Sequence, residues 1–269
     1  MQAGTETDSP PVTPASIEAI EITKSFGHIQ ALRGASFSAY PGEVLALIGD
    51  NGAGKSTLSN VIAGVHAADS GTIRVHGRDA HIADVTDARR LGIEIVYQDL
   101  AQAPDLSVVQ NFFLGRELLR PGLGRLLGRT DDKAMRERTR EALAQLGARV
   151  PSLSAPVSAL SGGQRQAVAV ARAVMWATAA IIMDEPTAAL GARQTAMVYE
   201  AVRAAADRGL AVILVSHDIP KMIEFADRIA IMRHGRVVAQ LQAEGLELMD
   251  VLTTMLSASD EQPRTEEAA

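Results

Sequence analysis

Blocks of apolar residues recur along the chain, and their lengths predict strands and helices in alternation. Continuous apolar runs of strand length cover residues 44–48, 179–183 and 211–215, as is typical of strands buried on both faces. Residues 192–208 lie between the last two runs and residues 220–225 follow them, and both read as helices. This alternation predicts an α/β domain with a parallel sheet and right-handed crossovers.

Weaker patterns predict further elements. Strands are expected at residues 17–23, 35–40, 71–76 and 93–97, and short helices at 57–63 and 85–91. Residues 229–232 and 237–240, separated by His234 and Gly235, are predicted to form a terminal hairpin.

The residue composition of the chain changes near residue 98. Residues 99–130 mix Leu, Pro, Gly and Arg, and residues 131–146 read as a helix with acidic residues first and a glycine after it. We therefore expect a helical insertion at about residues 98–160. The predicted organisation is a disordered lead at 1–16, one domain at 17–242, and a C-terminal helix with a charged tail at 243–269.

Composition narrows the functional classes. Of 269 residues, 47% are hydrophobic but only 3% aromatic, so Ala, Val, Leu and Ile must build the core. A formal net charge of −6 disfavours a nucleic-acid partner. The absence of cysteine excludes disulfides and cysteine metal sites.

Residues 1–16 carry no secretion signal. The longest uncharged apolar stretch, 173–183, is too short to span a bilayer. We therefore expect a soluble chain.

One glycine-rich loop carries the strongest chemical prediction. It follows the phosphate-binding pattern of Gly, four free positions, Gly, Lys and Ser, between a buried strand and a helix. Its backbone N–H groups and the helix dipole favour an anion, Lys55 would reach the β- and γ-phosphates, and Ser56 would bind Mg²⁺. The alternative is a turn that only caps the helix. The residues predicted to bind nucleotide here are Gly49, Asp50, Asn51, Gly52, Ala53, Gly54, Lys55, Ser56 and Thr57.

Two carboxylates end the apolar run at 179–183. Asp184 is placed to hold the Mg²⁺ shell beside the phosphate loop, and Glu185 to take a proton from an attacking water. The alternative is a strand that ends in a solvated acidic turn. The preceding phosphate loop in the same chain favours the metal site.

A second helix start, predicted to run to about Trp176, has the sequence Ser161, Gly162, Gly163, Gln164. One interpretation is an N-cap made by Ser161. The other is a second anion-binding helix terminus with the Ser161 hydroxyl free for a phosphate.

The order of four motifs, GDNGAGKST, LSGGQRQ, IIMDEPTAAL and VSHD, resembles the ATP-binding cassette family over nearly all of residues 17–240. The resemblance implies an α/β phosphate-loop ATPase with a mostly parallel core sheet, an antiparallel β subdomain and a helical insertion. It implies ATP and Mg²⁺ as ligands and hydrolysis of ATP as the reaction.

The resemblance also implies roles for single residues. Phe26 matches the aromatic residue that stacks on adenine, although its position also suits an edge of the core. Gln98 matches the glutamine that joins the metal site (with Ser56 and Asp184) to the insertion, and His217 matches the histidine at the γ-phosphate. The expected catalytic residues are Glu185, His217, Gln98 and Lys55. The remaining histidines are interpreted as structural: His28, His66, His76, His81 and His234.

One cassette has one copy of each motif, so the resemblance implies a homodimer in which Ser161, Gly162, Gly163 and Gln164 of one copy close the site of the other. Gly191 stands where the family usually has an Asp that helps to join the two copies. Because Glu185 is retained, hydrolysis should survive this departure.

Residues 97–117 resemble cassettes of bacterial monosaccharide importers of the ribose, xylose or fructose type. The expected partners are integral membrane permease subunits and, indirectly, a periplasmic sugar-binding protein, which places the chain at the cytoplasmic face of the inner membrane. The alternatives are another transporter cassette (amino acid, lipid or export) and a soluble non-transport ATPase, with cassettes of DNA repair or translation and phosphate-loop kinases as rivals.

Overall fold

The computed structural model describes residues 14–97, 99–187 and 190–257. The strands are β1 (Ile17–Phe26), β2 (Ile29–Ala39), β3 (Val44–Ile48), β4 (Ser70–Val75), β5 (Arg78–Ala80), β6 (Ile93–Val96), β7 (Ala180–Asp184), β8 (Ala211–Val215), β9 (Arg228–Arg233) and β10 (Arg236–Gln242). The helices are α1 (Lys55–Ile62), α2 (Val85–Arg90), α3 (Val108–Phe113), α4 (Leu123–Leu126), α5 (Asp132–Gln145), α6 (Gly162–Trp176), α7 (Ala192–Asp207), α8 (Ile219–Phe225) and α9 (Leu248–Ser257).

The core sheet has the strand order β10-β9-β3-β8-β7-β6. Strands β9, β3, β8, β7 and β6 run parallel, and β10 pairs antiparallel with β9. Every residue of β3 and β8 is buried, because helices and the second sheet cover the two faces. The predicted fold class is confirmed, and the carboxyl ends of β3, β7 and β8 lie side by side at one edge.

The second sheet is antiparallel, with the order β2-β1-β4-β5. Strand β2 begins at Ile29, six residues earlier than predicted. The reason is the tight hairpin at Gly27, whose φ of 58° suits glycine, and which pairs Phe26 with Ile29. The apolar inner face of this sheet packs against α1 and the core sheet in one buried cluster.

The segment from residue 99 to the start of α6 contains helices α3, α4 and α5. Ser107 and Gln110 form a capping box that starts α3, and Asp131 caps α5 by accepting a hydrogen bond from the N–H of Ala134 at 3.1 Å. Helices α3 and α5 bury their apolar faces together with part of α6.

Helix α6 connects the insertion to the core sheet. Val168 and Ala171 pack in the cluster of the insertion, whereas Ala169 and Val170 pack against the sheet and α7. The indole Nε1 of Trp176 donates to the carbonyl of Phe112 at 3.0 Å. Helix α6 therefore joins the insertion to the core sheet, because one of its faces packs in the insertion and another packs against the sheet.

The lower boundary of the domain lies earlier than predicted. Ala15 and Ser16, expected in a disordered lead, are buried, and the carbonyl of Ser16 accepts a hydrogen bond from the N–H of His76 at 3.1 Å. Residues 1–13 and 258–269, which carry the rest of the predicted lead and most of the predicted tail, lie outside the described residues. Across the described ranges, no helix combines the length and apolar character that a membrane span requires.

Candidate functional site

The phosphate loop connects the end of β3 to the start of α1, as the sequence predicts. A Cβ atom on Gly49 would lie 2.1 Å from the carbonyl oxygen of Met232, and one on Gly54 would lie 2.8 Å from that of Ala31. Both glycines also have positive φ, at 153° and 103°. Only glycine has no Cβ to clash and also adopts a positive φ readily, so the close approach of the neighbouring backbone requires glycine at these two positions.

Lys55 lies across the loop. Its ammonium donates to the carbonyl of Gly49 at 2.7 Å and to that of Asp50 at 3.0 Å. Burial lowers the pKa of Lys55, while the charges of Glu185, Asp184 and Asp50 raise it. The cation is therefore held among acceptors at the point where a terminal phosphate would approach the helix dipole.

Ser56 and Asp184 bring two oxygen ligands together from different elements. Asp184 ends β7, and its side chain is hydrogen-bonded to Ser56 at the start of α1. Burial raises the pKa of Asp184, the Ser56 hydrogen bond lowers it, and Glu185 raises it further. An alcohol and a single carboxylate fit Mg²⁺, which takes few protein ligands and fills its octahedron with water and phosphate oxygens. Within the described ranges, no group of three or more His, Cys, Asp or Glu side chains is arranged to hold a metal ion. The third predicted ligand, Gln98, lies outside them.

Glu185 and His217 form a contact between the ends of two neighbouring strands. Nδ1 of His217 lies 2.6 Å from Oε1 of Glu185. The N–H of Glu185 donates to the carbonyl of Val215 at 3.0 Å, and Glu185 has a φ of 49°, unusual for a residue with a side chain. The surrounding structure must hold this conformation, and it directs the carboxylate toward His217.

These groups line one cleft of about 690 Å³. Residues 51–57, Asp184, Glu185 and His217 all contribute to its wall. Gly49 and Asp50 do not belong to this lining, and their carbonyl groups accept hydrogen bonds from Lys55. The structure therefore brings the phosphate loop, both carboxylates and the histidine together, as predicted from three separate motifs.

The cleft also contains residues that the sequence analysis missed. Ile29, Gln30, Arg33 and His234 belong to its lining. His234, interpreted from the sequence as structural, therefore lies beside the phosphate loop. Parallel pairing of β3 with β9 places the β9–β10 turn against the loop, where the N–H of Gly235 donates to the carbonyl of Ala53 at 2.9 Å. No local pattern in residues 233–236 indicates this pairing.

Comparisons with known proteins agree with this geometry. A family model described as ABC transporter matches residues 32–188. The fructose import ATP-binding protein FrcA of Rhizobium meliloti is 43% identical over 250 residues, which are 92% of this chain and 96% of that protein. A xylose/arabinose import ATP-binding protein of Sulfolobus acidocaldarius is 41% identical over 241 residues, 90% of this chain and 94% of its own. A nucleotide-free ATP-binding cassette from an ABC transporter superposes with a TM-score of 0.74 at 26% identity and covers 94% of this chain and 98% of its own.

The chain belongs to the ABC transporter family. The predicted family, the fold and the assignment as an ATPase are thereby confirmed.

The cassette's LSGGQ segment begins α6 away from the phosphate loop. The hydroxyl of Ser161 accepts a hydrogen bond from the N–H of Gln164 at 3.3 Å, and Oε1 of Gln164 accepts one from the N–H of Ser161 at 3.0 Å. This is the capping box, in which the Ser161 oxygen accepts one hydrogen bond and its O–H can still donate, so the N-cap interpretation and the anion-binding interpretation are compatible. Ser161 and Gly162 are exposed, and none of the four residues 161–164 lines the 690 Å³ cleft.

Phe26 also lies outside the lining of that cleft. Its ring is exposed at the hairpin before β2 and packs edge-on against His66, with centroids 5.1 Å apart and an interplanar angle of 74°. The ammonium of Lys24 lies 5.7 Å from the ring centroid. The ring is therefore partly exposed and is contacted by a histidine that the sequence did not connect with it.

A second concave region lies between the core and the insertion. It has a volume of about 400 Å³ and includes Tyr97, Arg172 and Trp176 in its wall. Glu94 of β6 and Arg116 of the insertion also belong to this wall and form an ion pair. The guanidinium of Arg116 lies 4.9 Å from the Trp176 ring centroid. We call this region the insertion groove.

Gly191 begins α7. It occupies the N-cap position with no side-chain hydrogen bond to the helix. Ala188 and Ala189, which precede it, lie outside the described residues.

Proposed function

We propose that this chain is the ATP-hydrolysing subunit of an importer that takes up a monosaccharide. The observation that carries the hydrolytic part is the convergence of Lys55, the Ser56–Asp184 pair and the Glu185–His217 pair on one cleft. The sugar is inferred from relatives of similar length that are named for import of fructose and of xylose or arabinose.

In the proposed complex, the N–H groups of residues 49–57 surround the phosphates, and Lys55 moves its donors from the loop carbonyls to the terminal phosphate. The partly exposed ring of Phe26 stacks on the adenine ring. Ser56 and Asp184, with Gln98, hold Mg²⁺, which supplies charge neutralisation to the phosphates when bound.

Glu185 is the proposed general base. Its carboxylate accepts a proton from water that attacks the γ-phosphate in line. For Glu185 to be ionised beside His217 at 2.6 Å, Nδ1 of His217 must carry the proton of that hydrogen bond. This hydrogen bond gives His217 a positioning role toward Glu185, and contact of Nε2 with a γ-phosphate oxygen requires a proton on Nε2 as well.

The site requires a second copy of the chain. None of residues 161–164 lines the phosphate cleft of its own chain, which supports closure of the cleft by those of a partner subunit. The exposed start of α6 presents N–H groups that suit a phosphate. ATP-dependent homodimerisation would bury two nucleotides and position the γ-phosphates for transfer.

The proposed membrane partner is a permease that docks in the insertion groove. Burial lowers the pKa of Arg172, although Glu94 opposes this effect, so the groove offers an incompletely compensated cation beside aromatic rings. A permease segment with an acidic and an apolar side chain would match it. Sugar specificity would then lie in the permease and a periplasmic binding protein, with this chain at the cytoplasmic face of the inner membrane.

The first test separates nucleotide binding from hydrolysis. We expect Glu185→Gln to bind ATP, to lose at least about 100-fold in turnover, and to form an ATP-dependent dimer on size-exclusion chromatography. Glu200→Gln, an equal change at an exposed position of α7, is the control and should behave as the parent. Parental turnover in Glu185→Gln would refute the assignment of the base.

The second test concerns the solute. The chain would be reconstituted in proteoliposomes with the permease encoded beside it, and ATP-driven uptake of labelled fructose, xylose and ribose would be compared with uptake of labelled amino acids. Uptake of a monosaccharide supports the proposal. Uptake of amino acids alone, or recovery of the native chain with ribosomes or DNA instead of membrane proteins, would favour the alternative functions.

A further inference from the structure

The insertion ends in a small projection, residues 119–129, which we call the leucine tip. Its sequence is LRPGLGRLLGR and it includes α4. A bridge between Leu119 and Thr130 closes its base, and the N–H of Arg120 donates to the carbonyl of Arg129 at 2.9 Å.

Close packing holds the tip together. The N–H of Arg129 donates to the carbonyl of Gly124 at 2.8 Å. A Cβ on Gly124 would lie 2.6 Å from Cβ of Arg120, so glycine permits the two sides of the tip to meet. The tip is a defined projection with its own hydrogen bonds.

Large apolar side chains point outward from the tip. Leu126 is 82% exposed, Leu127 is 58% exposed and Leu119 is 41% exposed. Three outward leucines within nine residues are unusual for a surface that only faces water, because such groups lower the solubility of a chain.

The charge of the tip is opposite to that of the whole chain. Its charged residues are Arg120, Arg125 and Arg129, whereas the chain carries −6. Arg120 Nε donates to the carbonyl of Thr130 at 3.2 Å. Arg125 and Arg129 are exposed, and neither guanidinium has a hydrogen-bond or ion-pair partner among the described residues.

The carboxylates that adjoin the tip in sequence take part in other hydrogen bonds. Glu117 accepts a hydrogen bond from the N–H of Gly115. Asp131 caps α5, and Asp132 accepts a hydrogen bond from the hydroxyl of Thr130. The leucines and the two unpaired guanidinium groups therefore form one basic, apolar surface.

We infer that the leucine tip binds the surface of an anionic lipid bilayer. Leucine side chains enter the boundary between headgroups and acyl chains, and the guanidinium groups of Arg125 and Arg129 contact lipid phosphates. A protein partner fits less well, because eleven residues without an aromatic ring are too few for a stable interface.

The position of the tip agrees with this role. Leu114, Gly115 and Arg116, just before it, belong to the insertion groove. A permease held there would bring the tip toward the membrane surface. The inference goes beyond the proposed function, since it gives the cassette a lipid contact of its own, and vesicles that contain no permease test it independently.

The experiment is sedimentation of the full-length chain with vesicles of phosphatidylglycerol and phosphatidylcholine, compared with vesicles of phosphatidylcholine alone. We expect binding only to the anionic vesicles, and weaker binding as salt increases. Leu126→Ser/Leu127→Ser and Arg125→Gln/Arg129→Gln should each lower the partition coefficient by about tenfold or more.

Matched variants remove equal groups elsewhere. Leu248→Ser/Met249→Ser removes exposed apolar surface from α9, and Arg78→Gln/Arg193→Gln removes two exposed charges. Both should bind vesicles as the parent does, and all variants should keep the parental melting temperature and ATP binding. The inference would be overturned if the parent protein bound anionic and phosphatidylcholine vesicles equally. It would also be overturned if the tip variants and the control variants lost vesicle binding to the same extent. Tip variants that weaken association only when the vesicles contain the permease would overturn it as well.

Discussion

The buried ion pair between Glu94 and Arg116 gives the most demanding test of the structure. The side chain of Glu94 is 8% exposed and that of Arg116 is 21% exposed. The pair joins β6 of the core sheet to the insertion, and Arg116 also stacks on Trp176. Arg116→Ala would leave a carboxylate in the protein interior without its partner.

The expected cost follows from burial. Breaking a buried pair by removing one partner destabilises a protein by about 3 to 5 kcal/mol. We expect the lower end, about 3 kcal/mol, since Glu94 can take up a proton. For a chain of this size that corresponds to a fall of about 8 °C in melting temperature.

The loss should depend on pH. Burial raises the pKa of Glu94, and Arg116 is the main group that opposes this effect. A carboxyl whose folded pKa is raised supports stability fully below its unfolded pKa, and this support is lost as pH rises through the folded pKa. Removing Arg116 raises the folded pKa of Glu94 further, so the destabilisation should be smallest below the unfolded pKa of a glutamate, about 4.3, and largest above the raised folded pKa.

The assay is thermal unfolding followed by circular dichroism at several pH values for the parent, Arg116→Ala and Glu94→Gln/Arg116→Ala. Because the double variant removes the buried carboxylate together with its partner, it should recover more than half of the loss at high pH. Arg74→Ala, which breaks the exposed pair with Asp79, should melt close to the parent. A double variant as unstable as Arg116→Ala, or a loss independent of pH, would refute the electrostatic reasoning.

Three further changes test the phosphate cleft and its surroundings. Gly49→Ala should lower the free energy of unfolding by more than about 1 kcal/mol and weaken ATP binding, since its Cβ would overlap the Met232 carbonyl; urea unfolding and calorimetric titration would measure both. His217→Ala should lower turnover by about 100-fold with ATP affinity retained, because the orientation of Glu185 is lost; an equal fall in affinity would contradict a positioning role. Gly191→Asp should raise stability by a few tenths of a kcal/mol by capping α7, and a lower melting temperature would show that this N-terminus cannot accept the cap.

The elements that the sequence predicted best are those with a strong local pattern. Strands β3 and β8 are continuous apolar runs, and α5 has an acidic start and a glycine after its end. The start of β2 was missed because Ile29 and Gln30 are exposed and show no strand alternation. Their strand geometry comes from pairing with β1, which is a property of two segments together.

The candidate site shows the same division. The phosphate loop and the Asp184–Glu185 pair follow from spacing and residue type, since a glycine-rich turn between strand and helix has few other uses. The participation of His234 depends on pairing of β3 with β9, strands separated by most of the chain. The support of Phe26 by His66 likewise depends on a contact that no local pattern contains.

The amino-acid sequence by itself therefore determined the family, the order of elements and the residue types at the phosphate loop, because these depend on short-range periodicity and backbone conformation. The tertiary structure alone decided that His217 contacts Glu185, that residues 161–164 lie away from the phosphate loop, and that the leucines of the tip face outward. These features arise from the pairing order of the sheet and from which helix faces find a partner. Such choices depend on contacts between segments that are far apart in sequence, so no single segment of the chain can specify them.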